Sequence, residues 1–404
     1  MRPSKRTRLG IIFFTILVNM VGFGVVIPVL PFYATHFGAT PAQIGWLFGV
    51  FSLAQFVFSP LLGRVSDRFG RRPVLILSTL GTAAGFLMMG LGESLAMLFA
   101  GRIVDGVSGG SLGTAQAYVA DITTPEERSK AMGLIGAAFG LGFIFGPALG
   151  GWTSAHFGHA APMLLAGALA LANAALIFFL LPESLDSDKR GRGVGGNLFR
   201  DLLRHVRPAP YAAAMATYFT MIVGFSMMTA VFALFVAKRH GFDEKATGYL
   251  FAMLGLIGAV IQGGLIGVIV RRLGEGRTAS LGAAFLVAGL FAAPLVTGLG
   301  GLLLACAAIA AGNSLVNPVL PSLASQAADA EWQGRALGVL QSAASLARWI
   351  GPVLGGWLLS FDEAGPVADF ARTPLWAGAA VLAAAFVLSL WLPRTKNSVP
   401  PKRA

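Results

Sequence analysis

The residues with the clearest chemical potential in this sequence are three charged side chains that lie deep in apolar stretches. Arg102 and Asp105 stand three positions apart, which places them on one face of a helix. Arg348 lies in another apolar stretch without an acid nearby. A charge at the centre of a bilayer costs roughly 2.5–3.5 kcal/mol on insertion scales, so charges there usually serve a function.

Each of these charges has a functional interpretation and a structural one. Asp105 is either a proton carrier that responds to Arg102 and to hydration, or one half of a static ion pair. Arg348 either contacts Asp105 or an anionic group of a substrate, or simply reaches water along its own stem.

Uncharged polar and aromatic residues within the apolar stretches are candidates for the wall of a substrate cavity. Small-molecule sites combine apolar walls with a few directing polar groups. For any one of these residues, packing between helices is an equally good interpretation. The predicted cavity residues are Asn19, Gln55, Tyr118, Phe139, Phe225, Phe232, Gln262, Asn313, Gln341 and Arg348.

Long apolar helices must position these residues. Of the 404 residues 55% are hydrophobic and 12% are charged, about half the charged fraction of a soluble domain. This composition excludes a water-soluble enzyme or a nucleic-acid-binding protein, and predicts an all-α membrane protein. The twelve predicted spans are roughly 9–33, 44–63, 74–91, 95–120, 131–155, 162–181, 211–237, 247–270, 278–297, 302–323, 336–360 and 374–392.

The net charge of +12 predicts topology. If both termini lie in the cytoplasm, 24 of the 30 Lys and Arg residues fall on the cytoplasmic side, as the positive-inside rule requires. We therefore predict a multi-pass protein of the bacterial inner membrane with both termini cytoplasmic.

An internal duplication divides the chain. Residues 146–152 (GPALGGW) recur as 351–357 (GPVLGGW), and a polar, glycine-rich stretch lies between the halves. We predict a six-helix bundle at 1–182, a cytoplasmic linker at 183–210 and a second bundle at 211–404. Two parallel six-helix halves are the layout of one class of secondary transporters.

Two glycine-rich motifs suggest moving parts. In 63–73 (GRVSDRFGRRP), Asp67 ends a helix whose dipole its charge opposes, so it needs a cation or the N-terminus of another helix as a partner. In the fifth span, Gly142, Gly146 and Gly150 share a face that allows close helix approach, and Pro147 can bend the helix. A basic cytoplasmic turn and ordinary small-residue packing are the simpler interpretations.

These segments resemble the major facilitator superfamily. Residues 63–73 are similar to its loop signature, 142–151 to the fifth-span signature of drug/proton antiporters, and 98–110 to their fourth-span motif; 22–31 and 55–74 resemble the tetracycline efflux pumps. The resemblance covers essentially the whole chain. It implies a conformational latch at Gly63, Asp67, Arg68, Gly70, Arg71 and Arg72, and an antiporter motif at Gly142, Gly146, Pro147, Gly150 and Gly151. Asp121, at the inner end of the fourth span, is a candidate partner for the latch arginines.

The sequence departs from the tetracycline pumps at their intramembrane acids. Asn19 and Gly85 occupy the positions of the acids in spans 1 and 3, and span 9 has none. In the second copy of the loop signature, Arg271 replaces the acid. These departures argue against tetracycline–metal exchange but not against the family.

The sequence shows no zinc-ligand spacing, phosphate-binding loop or Ser-His-Asp order, so neither an enzyme nor a cofactor nor a metal is expected. Transport would then use an ion or solute gradient. We predict a monomeric, proton-coupled exporter of small amphipathic compounds with Asp105 and Arg102 as the coupling centre. The alternatives are an exporter or facilitator of a metabolite, sugar or organic anion, and a membrane receptor or lipid-handling protein.

Overall fold

The structure, a computed structural model, describes residues 4–185, 209–328 and 333–393. These residues form α-helices joined by short turns, and no β-strand occurs among them. The helices are α1 (Lys5–His36), α2 (Pro41–Phe69), α3 (Arg71–Leu91), α4 (Leu95–Val107), α5 (Ser111–Ile122), α6 (Pro125–Phe157), α7 (Ala161–Leu180), α8 (Ala209–His240), α9 (Glu244–Val260), α10 (Ile266–Leu273), α11 (Glu275–Ala292), α12 (Leu299–Gln326), α13 (Gln333–Asp362) and α14 (Arg372–Ser389).

Ten helical stretches within the described ranges are long and apolar enough to cross a membrane. They correspond to ten of the twelve predicted spans. The predicted eleventh span corresponds to α13, which has 30 residues and carries Arg348 near its middle. The predicted fourth span is divided between two shorter helices.

The fourth span is interrupted, where the sequence analysis predicted one continuous helix. A turn at Ser108, Gly109 and Gly110 separates α4 from α5. The Ser108 hydroxyl donates to the Val104 carbonyl at 2.8 Å, and serine side chains that bond back to the preceding turn bend helices. A Cβ atom on Gly109 would lie 2.8 Å from Gln55 Nε2. The glycine therefore lets α2 approach the break.

The eighth predicted span also deviates from a regular α-helix. A π-helical turn, Ile261–Leu265, connects α9 to α10. Single π turns of this kind are rare and frequently occur at functional sites.

The described residues group into two compact units. The first comprises 1–195 and 232–255, and the second comprises 196–231 and 256–404. The segment 232–255, the end of α8 and most of α9, thus belongs with the first unit although the duplication assigns it to the second half. The division into 1–182, 183–210 and 211–404 stays a prediction, and residues 186–208 of the proposed linker lie outside the described ranges.

A buried apolar cluster holds the first unit together. Ile12, Leu75, Tyr118, Ile135 and Ile177 contribute to it from α1, α3, α5, α6 and α7, and each is at most 5% exposed. In the second unit α11 and α12 approach closely at two glycines, since a Cβ atom on Gly312 would lie 2.5 Å from the Gly282 carbonyl oxygen. Small residues at crossings allow membrane helices to pack tightly.

Candidate functional site

Arg102 and Asp105 form a buried ion pair on α4. Arg102 Nη1 lies 3.3 Å from Asp105 Oδ2, and the two residues are 1% and 6% exposed. Arg102 Nε also donates to the Leu47 carbonyl at 3.2 Å, and its guanidinium lies 4.2 Å from the ring centroid of Phe51. Because Leu47 and Phe51 belong to α2, the cation is fixed by two helices through a hydrogen bond and a cation–π contact.

The carboxylate of Asp105 faces α3. The buried Thr82 side chain of that helix lies beside it. A Cβ atom on Gly85 would lie 2.9 Å from Asp105 Cβ and 2.7 Å from the Gly101 carbonyl oxygen. Position 85 therefore has no room for an acid, and Asp105 supplies a carboxylate beside it from the neighbouring helix.

Arg102 has partners besides Asp105. Protonating Asp105 would remove the negative charge and leave Arg102 held by the Leu47 carbonyl and the Phe51 ring. Breaking a buried ion pair from one side is strongly unfavourable unless other groups compensate the remaining charge. Here α2 provides that compensation, so both protonation states have partners.

Arg71 connects three elements at the end of the bundle that holds Lys5. Its guanidinium pairs with Asp67 at 2.5 Å and with Asp121 at 3.3 Å, and donates to the Ser66 hydroxyl at 2.6 Å. Asp67 and Ser66 belong to α2 and Asp121 to α5. The structure thus joins the predicted latch arginine to both of its predicted acidic partners.

Glu183 is a member of this cluster that the sequence analysis missed. Its carboxylate accepts the backbone N–H groups of Arg71 at 2.9 Å and Arg72 at 3.2 Å. These are the first amides of α3, where the helix dipole favours an anion. Gly70 precedes them with φ +113°, and a Cβ atom there would collide with Glu183. The available signal was an acid directly after Pro182, at the end of a span.

The remaining loop residues interact within the same unit. Arg72 donates to the Phe178 carbonyl, and its guanidinium lies 5.7 Å from the centroid of that ring on α7. Arg68 lies 5.5 Å from the Phe69 ring. The Gly63 carbonyl accepts the Ser66 hydroxyl at 2.9 Å. Nearby, Lys5 pairs with Glu127, and this hydrogen bond lowers the pKa of Glu127.

The glycine face of the antiporter motif lies against α1. A Cβ atom on Gly146 would lie 2.7 Å from the Val21 carbonyl oxygen, and one on Gly150 would lie 3.0 Å from Val25 Cα. A Cβ atom on Gly142 would likewise collide with the Cβ atom of Met20. The close approach expected at this face is therefore made with α1.

A second face of the same motif meets α9. A Cβ atom on Gly248 would lie 2.5 Å from the Pro147 carbonyl oxygen and 3.0 Å from Gly151 Cα. A Cβ atom on Gly255 would lie 2.5 Å from the Phe143 carbonyl oxygen. The motif thus packs between two helices through small residues on both sides.

Several predicted cavity residues have other partners. Asn19 Nδ2 donates to the Ser111 hydroxyl at 3.2 Å, and Gln55 Nε2 donates to the Gly109 carbonyl at 3.3 Å. Both therefore bind at the break in the fourth span. Phe139 is half-buried against the apolar cluster of the first unit.

Tyr118 and Phe232, which were predicted to line the cavity, are enclosed in this structure. Tyr118 is fully buried and its hydroxyl donates to the Pro182 carbonyl at 2.8 Å. Phe232 is fully buried against Phe235 and Phe251. Apolar packing encloses both rings, so neither offers a surface to a ligand in this structure.

Arg348 lies in the second unit without an acidic partner among the described residues. Its Nη2 donates to the Ser345 hydroxyl at 3.2 Å, and the buried Tyr218 also faces it. Asn313 accepts a hydrogen bond from Asn317 at 2.8 Å. Of the other predicted cavity residues of this unit, Phe225 is half-buried, and Gln262 and Gln341 are exposed.

Comparison with known proteins decides the family. The family model described as Major Facilitator Superfamily matches residues 12–351. The chain belongs to the major facilitator superfamily. It is therefore an all-α, multi-pass membrane protein and a transporter of small-molecule substrates rather than an enzyme, which confirms the family and fold that the motifs predicted.

Relatives span most of the chain. It is 35% identical to Multidrug resistance protein 2 of Bacillus subtilis (strain 168), over 89% of this chain and 90% of that protein. It is 31% identical to the class D tetracycline resistance protein of Salmonella ordonez, over 85% and 87%. The crystal structure of the human organic anion transporter MFSD10 superimposes with a TM-score of 0.71 at 25% identity, over 96% of this chain and 100% of that one.

Proposed function

We propose that this transporter exports small amphipathic compounds in exchange for protons, by alternating access, as a monomer in the bacterial inner membrane with both termini cytoplasmic. Two kinds of support converge on this proposal. Relatives that cover most of the chain bear the names of multidrug and tetracycline resistance proteins. This chain also has a buried carboxylate, Asp105, whose surroundings suit a proton carrier.

The observation that carries the proposal is the position of Asp105. It is buried with Arg102 on α4, and α3 packs directly on its backbone at Gly85. In the proposed cycle, a proton on Asp105 removes the attraction to Arg102, and the loss of that proton restores it. Because α2 and α3 both contact the pair, its charge state influences the packing of three helices.

The Arg71 cluster would serve as the latch of this cycle. Arg71 joins Asp67 to Asp121, while Glu183 binds the first amides of α3. All of these bonds are made by charged groups, which form stronger hydrogen bonds than neutral groups do. They hold the cytoplasmic ends of α2, α3 and α5 together, and we propose that the cycle breaks and remakes them.

The test uses proteoliposomes and the cationic dye ethidium as a probe. An imposed proton gradient should drive dye accumulation by the wild-type protein, and Asp105→Asn should abolish it. Dye-for-dye exchange without a gradient should persist in that variant, because exchange needs the fold and the cavity but no net proton movement.

A matched control separates the buried pair from ion pairing in general. Asp369 and Arg372 form an exposed pair with the same three-residue spacing, at 2.7 Å. Asp369→Asn should leave gradient-driven accumulation unchanged. If Asp105→Asn accumulated ethidium under a proton gradient as well as the wild-type protein does, the proposed role of Asp105 would be contradicted.

A second candidate, export of organic anions, is favoured by Arg348. This cation donates to the Ser345 hydroxyl at 3.2 Å and has no acidic partner among the described residues. The structural relative MFSD10 is described as an organic anion transporter. An anionic dye such as fluorescein tests the alternative: under it, Arg348→Ala abolishes fluorescein transport and spares ethidium, and Arg348→Lys retains both. Equal loss of both dyes in Arg348→Ala would instead indicate a structural role.

A further inference from the structure

A narrow apolar groove lies on the surface of the first unit, between α3 and α7. Leu80 lines it from α3, Leu171 and Phe178 line it from α7, and all three side chains are exposed. Ala174 and Ala175 lie between the two larger residues of α7 and also line the groove. Their small side chains leave the depression, and every residue that lines it is apolar.

The dimensions of this groove suit the acyl chain of a lipid. Its lining on α7 runs from residue 171 to residue 179, which is about 12 Å by helical rise, and one leaflet of the hydrocarbon core is about 15 Å thick. Its volume is about 270 Å³, below the roughly 300–1,000 Å³ of pockets that enclose drug-sized ligands. Both helices are long and apolar enough to cross a membrane, so lipid chains are the natural neighbours of the groove.

Arg72 places a positive charge at one end of this groove. Arg72, Ile76 and Leu80 follow one another at intervals of four residues and therefore share a face of α3. The guanidinium lies 5.7 Å from the centroid of the Phe178 ring, and its Nη2 donates to the Phe178 carbonyl. The cation thus lies at the same end of the groove as Phe178.

The guanidinium of Arg72 has no carboxylate partner among the described residues, because the nearby acids bind other groups. Glu183 accepts the backbone N–H of Arg72 at 3.2 Å, and Asp67 and Asp121 pair with Arg71. The Arg72 Nε is enclosed and has no hydrogen-bond partner in the described part of the chain. A cation that no acid neutralises therefore adjoins an apolar groove.

We propose that the groove between α3 and α7 binds an anionic phospholipid, with an acyl chain in the groove and the headgroup phosphate at Arg72. Arginine suits a phosphate because its planar set of donors can bind two oxygens at once. Phosphatidylglycerol fits better than phosphatidylethanolamine, since the ammonium group of the latter would find no available acid beside the guanidinium. The bound lipid would join the start of α3 to the end of α7. The proposal depends neither on the transported compound nor on Asp105.

Native mass spectrometry of the purified full-length protein tests the headgroup site. The protein in detergent is titrated with phosphatidylglycerol or with phosphatidylethanolamine that carries the same acyl chains, and the affinity for the first bound lipid is measured. The wild-type protein should prefer phosphatidylglycerol. Arg72→Gln should weaken phosphatidylglycerol binding about five-fold, the size expected for one cation near a membrane surface, and should leave phosphatidylethanolamine binding almost unchanged.

A matched arginine separates this site from attraction by overall charge. Arg64 is an exposed arginine near the end of α2 and does not line the groove. Arg64→Gln removes the same charge and should bind phosphatidylglycerol like the wild-type protein. Wild-type affinity in Arg72→Gln, or an equal loss in Arg64→Gln, would overturn the headgroup site.

A second pair of variants tests the acyl-chain site without changing any charge. Ala175→Leu should fill the groove and weaken the binding of both lipids several-fold, while the fold is kept because Ala175 is exposed. Ala172→Leu adds the same side chain at an exposed position of α7 outside the groove and should have no effect. Unchanged binding in Ala175→Leu would overturn the proposal. Displacement of the first phosphatidylglycerol by ethidium would also overturn it, since the groove would then belong to transported compounds.

Discussion

At the scale of single residues, Arg102 shows how one side chain meets several requirements at once. One nitrogen pairs with Asp105, another donates to the Leu47 carbonyl, and the flat guanidinium covers the Phe51 ring. Lysine could not reproduce this arrangement, because its single ammonium lacks the planar fork. Arg102 is therefore fixed by geometry as well as by charge.

This arrangement predicts a non-additive pair of substitutions. Arg102→Leu should lower the free energy of unfolding by about 3–5 kcal/mol, because it leaves Asp105 buried and unpaired. Arg102→Leu with Asp105→Leu should recover most of that loss, since two apolar groups need no partner. Unfolding of the purified variants in denaturing detergent measures both. If the stability lost by the double variant equalled the sum of the losses in Arg102→Leu and Asp105→Leu measured separately, the two residues would not be coupled.

The sequence revealed the charged residues of this site but only part of their surroundings. The spacing of Arg102 and Asp105 predicts that they meet. The loop signature predicts Asp67 and Arg71, and the position of Asp121 at the inner end of the fourth span makes it a candidate partner. Glu183 could not be derived in the same way, because it joins the cluster through the tertiary fold more than a hundred positions from Arg71. The burial of Tyr118 could not be predicted either, because its polarity does not reveal that its hydroxyl binds the Pro182 carbonyl.

At the scale of helices, α6 depends on small residues for its packing. Two faces of this helix approach other backbones, α1 through Gly146 and α9 through Gly151. The apolar composition predicts the helix, and the glycine spacing predicts a close approach. The spacing alone does not identify the neighbour, because any helix with a small surface would fit.

Alanine substitutions at two glycines of α6 should therefore change the stability of the protein in opposite directions. Gly146→Ala should destabilise the protein by about 1–3 kcal/mol through overpacking, because its Cβ atom would strike α1. Gly136→Ala is the control, since nothing lies within 4 Å of its Cβ position, and alanine there should stabilise the helix by up to about 1 kcal/mol. Thermal unfolding of both purified variants gives the comparison. A neutral Gly146→Ala would mean that α1 and α6 are not in close contact in the folded protein.

The break in the fourth span is a further feature of helix scale that composition conceals. Residues 95–120 read as one apolar stretch, but Ser108, Gly109 and Gly110 interrupt the helix. Asn19 and Gln55 bind at this break from α1 and α2. We infer that their polar groups primarily stabilise the interruption, which follows Asp105 closely along the chain.

At the scale of the whole molecule, length, composition and duplication were enough to predict a helical transporter fold, because long apolar segments have few stable arrangements in a bilayer. The association of 232–255 with the first unit could not be predicted. It depends on the packing of Gly248 and Gly255 against α6, and the duplication places these residues in the other half.

The proposed topology can be tested with single cysteines. Cys306 is the only cysteine and is buried, so Cys306→Ser provides a clean background. A membrane-impermeant maleimide applied to intact cells should label Glu93→Cys, in the turn after α3, and leave Ser4→Cys unlabelled. Inside-out vesicles should give the reverse pattern. Labelling of Ser4→Cys from outside would invert the proposed orientation.

The most direct measurement of the central claim is proton release on ligand binding. Purified protein in weakly buffered detergent solution is titrated with ethidium, while a pH-sensitive dye follows the protons that leave. The wild-type protein should release protons in proportion to bound ethidium, and Asp105→Asn should bind ethidium without releasing any. Proton release equal to that of the wild type in Asp105→Asn, with binding intact, would contradict the assignment of Asp105 as the coupling carboxylate.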